Sequence, residues 1–196
     1  NAASDLTTLQ ELDSIDFKKN HFIILHQRGS HSPYNLRYPV KETLFKLTGN
    51  KQKDRVIHYD NSVYQFDIFM QKLISKVKTF TKPTIIVYTS DHGEGLGEEG
   101  VWGHAALKAP SFRIPILFYT HLVKQQESGF QLLSKNPTHF NISLYLSSLL
   151  GYKSEHHPFR PLKEYYIMGT DINGFAGYLK ALFKNGKLEG YTREDL

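Results

Sequence analysis

The sequence predicts an α/β fold with a mostly parallel central sheet flanked by helices. Two observations carry that expectation. Apolar runs of strand length alternate along the chain with longer stretches whose apolar residues recur at helical spacing. The chain also has 196 residues, 40% of them hydrophobic and 22% charged, which is enough for one ordinary domain with a real core and argues against disorder.

The elements follow in order. Residues 5–18 predict a helix, with Leu6, Leu9, Leu12 and Ile15 at helical spacing and Asp5 as its N-cap. "HFIILH" (21–26) has the length and composition of a strand. "QRGSHSPYNLRYP" (27–39) reads as a loop. Residues 59–78 predict an amphipathic helix with Val63, Phe66, Phe69, Met70, Leu73 and Val77 along its apolar stripe. "TIIVYT" (84–89) predicts a buried strand and "IPILFYT" (114–120) another. Residues 138–150 predict a helix that stops at Gly151, and 164–169 a further strand. The end of the chain predicts strands turning at Asn173-Gly174 and Asn185-Gly186, the second turn closing a hairpin.

Composition narrows the function. With no cysteine, disulfides and thiolate metal sites are excluded, so any metal must be held by His, Asp, Glu or hydroxyl groups. Ten histidines are a generous supply of the commonest metal ligand. The net charge of +5 fits an anionic substrate or a membrane surface. Without a stripe of Lys/Arg and aromatics it gives no sign of nucleic-acid binding. No stretch approaches the roughly 20 apolar residues that cross a bilayer. Asn1 opens a polar stretch without an initiator Met, which predicts a piece of a longer protein.

In open α/β sheets, sites form outside the carboxyl ends of strands. Two histidine-bearing loops stand there. One follows 21–26 and carries His26 and His31. The other follows 84–89 and carries Asp91, His92 and, beyond a glycine-rich acidic segment, His104. Asp91-His92 offers an oxygen and a nitrogen ligand side by side, a pair that suits zinc. Gly93, Gly95, Gly97 and Gly100 let the backbone pass close to a metal or a phosphate. Each piece also has a plainer reading. Asp91 caps a turn, His92 lies on the surface, His26 and His31 are strand-end and loop histidines, and His104 packs on Trp102. Glu94, Glu98 and Glu99 read as partners behind the ligands or as a solvated loop. His139, His156 and His157 have no supporting pattern.

Four stretches, in order and spacing, resemble the alkaline-phosphatase/sulfatase superfamily, and within it the lipid A phosphoethanolamine transferases. They are "FIILHQRGSHSPY" (22–34), "YDNSVYQFD" (59–67), "TSDHGEGLGEEGVWGHA" (89–105) and "THFNISLYLSSLLG" (138–151). The resemblance covers roughly residues 1–155. It implies that 1–196 is the C-terminal portion of a single sulfatase-like catalytic domain, with 156–196 an extension of edge strands. It further implies that Asp91 and His92 ligate Zn2+ and that His31 and His104 bind the phosphoryl group or a second zinc. His26 would support the same edge. The implied reaction carries phosphoethanolamine from a phospholipid donor to a glycolipid acceptor such as lipid A. It runs through a threonine nucleophile that lies upstream of this chain, so the chain alone is expected to lack complete chemistry. The implied setting is the bacterial inner membrane, with an N-terminal anchor outside this chain and the catalytic domain in the periplasm. Two alternatives remain open: a sulfatase or phosphodiesterase hydrolase of the same superfamily, and a non-catalytic lipid-binding or regulatory member.

Overall fold

A computed structural model of the chain describes residues 5–104, 108–124, 137–155, 165–170, 176–184 and 187–194. The chain divides into two compact units, Asn1–Thr84 and Ile85–Leu196.

The first unit is helical. Residues 5–18, expected as one helix, form three short pieces: a 3-10 turn at Asp5–Thr7, α1 (Thr8–Glu11) and a 3-10 turn at Leu12–Ser14. Asp5 does not cap them. Its carboxylate accepts from the Arg28 and Gly29 backbone N–H groups, at 3.0 and 2.9 Å, so the expected cap instead ties down the loop after residue 26. Leu9 and Leu12 are buried as the periodicity requires. The run 21–26 forms no strand and leaves Phe22 and Ile24 exposed. A strand exists only by pairing its backbone with a neighbour. Before β1 (Thr84–Thr89), the described residues of this unit contain no strand to pair with.

The long helix α2 (Lys51–Val77) starts eight residues before the expected Tyr59. Its N-terminus is set by Asn50, whose side chain accepts from the Gln52 and Lys53 N–H groups, both at 3.1 Å. Asp54 in the first turn reaches back to the Thr48 N–H, the Thr48 hydroxyl and the Gly49 N–H at 2.7, 2.8 and 3.0 Å. Phe69, Met70, Leu73 and Val77 are buried as expected, whereas Val63 is exposed. Asn61, two residues earlier and so on the opposite side of the helix, is completely buried. Its amide accepts from the Leu44 and Phe45 N–H groups at 3.0 Å each and donates to the Phe45 carbonyl at 2.9 Å, clamping an extended segment onto α2. Tyr34 is buried edge-on to Tyr59. An ion pair between Lys76 and Asp13 joins the end of α2 to the 3-10 turn at Leu12–Ser14.

The second unit carries the strands. β1 has the bounds expected of it, although it is half-buried along its whole length rather than buried. It pairs with β4 (Ile116–His121). Between them lie a two-residue antiparallel ladder of β2 (Gly95–Leu96) with β3 (Trp102–Gly103), and the short helix α3 (Ala109–Phe112). Helix α4 (His139–Leu149) starts from a reciprocal cap, in which the Thr138 and Asn141 side chains each accept from the other's backbone N–H. Its buried Tyr145 sits edge-to-face on Phe118 of β4, with ring centres 5.7 Å apart. The strands β5 (Tyr165–Thr170), β6 (Ala176–Lys184) and β7 (Lys187–Glu194) form an antiparallel sheet of their own, with a register shift at Leu182/Phe183. The expected turns at 173–174 and 185–186 lie outside the described residues. Among the described residues, no helix is long and apolar enough to cross a membrane.

Candidate metal and phosphoryl site

The loop after β1 gathers the chemistry of the second unit. Beyond Thr89 the chain turns at Ser90, whose hydroxyl donates to the His92 carbonyl at 2.6 Å. The Gly93 N–H then donates to the Ser111 carbonyl at 2.8 Å. This approach is possible only for glycine, because a Cβ at Gly93 would stand 2.1 Å from the Pro110 carbonyl oxygen and 2.9 Å from that of Arg113. The loop is thereby pinned against α3. Gly97 turns the chain at φ +111, with Trp102 packed where its side chain would be, and the β2–β3 ladder returns the backbone to His104.

The result is a cluster separated in sequence and joined in space. The His92 and His104 rings stack with centres 4.0 Å apart. Glu94, whose side chain is 10% exposed, has Oε2 3.0 Å from His104 Nδ1. One ligand atom from each of His92, Glu94 and His104 lies within 4.8 Å of the other two. Hydrogen bonds fix the ring states. His92 Nδ1 lies 2.8 Å from the Gly93 carbonyl, which can only accept, so Nδ1 carries a proton and Nε2 is the nitrogen left to face a metal. The Glu94 carboxylate likewise draws a proton onto His104 Nδ1, the arrangement commonly found behind metal-binding imidazoles.

Asp91 is at the rim, with its side chain 87% exposed and Oδ2 3.7 Å from His92 Nε2. Burial pushes its carboxyl up. That push is outweighed by the neighbouring His92, the Asp91 and His92 backbone N–H groups and the Ser90 hydroxyl, which hold it below the usual carboxylate range. It is therefore available as an anionic ligand.

A tetrahedral ion with bonds of about 2.0–2.1 Å needs ligand atoms about 3.3 Å apart. The His92–Glu94–His104 group meets that after closing by at most about 1.5 Å at its widest. Two imidazoles and a carboxylate, with a second carboxylate alongside, form a nitrogen–oxygen set that fits a borderline metal ion.

Of the residues singled out from sequence, the structure brings His92 and His104 together, with Asp91 beside them. Glu94 joins them as a third potential ligand, a position the sequence reading left between partner and solvated loop. Its signal was the two-residue spacing from His92, which puts both on one side of an extended segment. His26 and His31 belong to the first unit. His31 Nδ1 lies 2.6 Å from the Ser32 carbonyl, and its own carbonyl accepts from Arg37 Nε at 2.6 Å. His139, which had no supporting pattern, places Nε2 2.7 Å from the Ser90 carbonyl. His156 and His157 lie outside the described residues.

A phosphoethanolamine transferase EptA of Helicobacter pylori is 30% identical over 171 residues, which cover 80% of this chain and 32% of that protein. One of Salmonella typhimurium with the same name is 41% identical over 105 residues, 47% of this chain and 19% of that protein. The crystal structure of the soluble domain of lipooligosaccharide phosphoethanolamine transferase A from Neisseria meningitidis superposes with a TM-score of 0.59 at 31% identity. It covers 76% of this chain and 50% of that one. The α/β class expected from the sequence is the class of that domain. The chain thus spans at most about a third of the length of these curated relatives. Residues 1–152, which hold every residue of the cluster, match the sequence model of the sulfatase family, and the chain belongs to that family.

Proposed function

We propose that the chain is the C-terminal portion of the catalytic domain of a zinc-dependent phosphoethanolamine transferase. The proposed reaction moves phosphoethanolamine from a phospholipid donor to a cell-surface glycolipid such as lipid A. The observation that carries this reading is the His92–Glu94–His104 cluster at the end of β1, inside a region related to proteins named for that transfer.

In this reading His92 and Asp91 hold the zinc, and Glu94 fixes the His104 ring. A bound zinc would lower the proton affinity of a coordinated hydroxyl and draw charge from phosphoryl oxygens. The nucleophile is a threonine supplied by a part of the protein outside these 196 residues. His104 donates to the phosphoryl oxygens as charge builds on them, the role that the family resemblance gives to His31 also, with His26 in support. Gly93 and the Ser111 carbonyl keep the loop pinned, so the ligands need little reorganisation. The proposed setting is the bacterial inner membrane, with the catalytic domain periplasmic and anchored by a segment outside this chain. The segment 156–196 is read as an extension of the part that matches the family. A second reading, favoured by the family's description as sulfatase, keeps the metal and makes water the acceptor.

The test is mass spectrometry of lipid A from cells expressing the longer protein that contains this chain. Transfer predicts a phosphoethanolamine adduct with the parent and none with His92→Ala or His104→Ala. No adduct with the parent, together with release of free phosphoethanolamine from phospholipid, would instead establish the hydrolase.

A further inference from the structure

Helix α4 makes contact with β4 and with the turn that leaves β1. One contact is apolar, where Tyr145 rests against Phe118 of β4. The other is polar and spans 49 residues, where the His139 imidazole meets the Ser90 carbonyl at 2.7 Å. A carbonyl oxygen can only accept, so His139 Nε2 carries a hydrogen and donates it. The Thr89 hydroxyl approaches the same carbonyl less closely, at 3.3 Å.

Ser90 is the residue at which the chain leaves β1 and turns towards Asp91 and His92. A peptide group is planar, so fixing the direction of the Ser90 carbonyl fixes the Asp91 N–H and the line along which the Asp91 Cα follows. The Ser90 hydroxyl then closes the turn on the His92 carbonyl. We infer that His139 is a positioning residue: through the Ser90 carbonyl it sets the backbone turn that aims Asp91 and His92 into the metal cluster. It touches neither metal nor substrate. The inference rests on the metal reading only for its consequence, since the turn itself exists without an ion. The sequence "TH" at 138–139 serves both purposes, with Thr138 starting the helix and His139, its first residue, reaching out of it.

The experiment has a metal-free arm and a zinc arm, both on the longer protein that contains this chain. The variants are His139→Ala, His139→Gln and Ile142→Val. Alanine is favourable at a helix start, so His139→Ala leaves α4 intact while removing the donor. Glutamine returns an N–H at the place of Nε2. Ile142→Val trims a buried residue of α4 without touching Ser90 and controls for general loosening of the helix.

In the metal-free arm, hydrogen exchange of the segment 89–93 should quicken about tenfold in His139→Ala, return towards the parent in His139→Gln, and stay unchanged in Ile142→Val. In the zinc arm, competition with a chromophoric chelator should show binding weakened about tenfold by His139→Ala and restored by His139→Gln. Unchanged exchange in His139→Ala, or an equal effect from Ile142→Val, overturns the inference. A parent that binds no zinc defeats the metal reading alone, because the exchange arm still decides whether His139 holds the turn.

Discussion

Gly93→Ala should damage the second unit more than its single methyl suggests. The added Cβ would lie 2.1 Å from the Pro110 carbonyl oxygen and 2.9 Å from that of Arg113. Ordinary contact needs about 3.4 Å, so the backbone from 110 to 113 must retreat by more than an ångström. No side chain can give way, since both atoms belong to the main chain. The retreat breaks the 2.8 Å bond from the Gly93 N–H to the Ser111 carbonyl, worth about 0.5–1.5 kcal/mol. Overpacking adds roughly 1–3 kcal/mol. The sum is about 2–4 kcal/mol, or a fall in Tm of roughly 4–16 °C for a chain of this size. Urea unfolding followed by circular dichroism measures the first quantity and a thermal scan the second. Gly93→Ala within about 0.5 kcal/mol of the parent would refute the claim that this glycine is required by the close approach of α3.

Two further perturbations test the first unit. Asn61→Ala removes an amide that serves two N–H donors and one carbonyl in a fully buried place, and should cost about 2–4 kcal/mol in urea unfolding. A loss under 1 kcal/mol would mean water replaces it. Asp54 is held below the usual carboxylate range, chiefly by the Thr48 N–H. Burial acts the other way, and the Thr48 hydroxyl, the Gly49 N–H and His58 add to the lowering. A carboxyl lowered in the folded state stabilises it above the unfolded pKa of about 3.9 and loses that contribution as pH falls through the folded value. Asp54→Asn should therefore make stability less dependent on pH below about 4. An acid-unfolding curve identical in slope to the parent's would contradict that assignment.

The parts of the fold legible in the sequence are those whose cause is local. The β-branched run at 84–89 needs only its own side chains to read as a strand, and the helix expected over 138–150 is α4, with Thr138 as its cap. Legibility failed where a distant partner decides. Asp5 resembles a helix cap, yet its carboxylate is taken by the N–H groups of residues 28 and 29. The run 21–26 has strand composition, yet pairing is a property of two segments, and the described part of its unit offers no second one. The early start of α2 was hidden because residues 51–55 are all polar, and the helix there rests on Asn50 and Asp54 rather than on an apolar stripe. In the site, His92 and His104 stood out as residue types near glycines. Glu94 and His139 did not, because their roles depend on where a hairpin and a helix return to the β1 loop.

Zinc analysis of the purified longer protein that contains this chain, with His92→Ala, Glu94→Gln and Asp91→Asn beside the parent, tests the central claim most directly. The account predicts about one equivalent in the parent, loss in His92→Ala, and weakened retention in Glu94→Gln and Asp91→Asn. A parent without zinc, or a His92→Ala chain that keeps its metal, would contradict a metal centre at the end of β1.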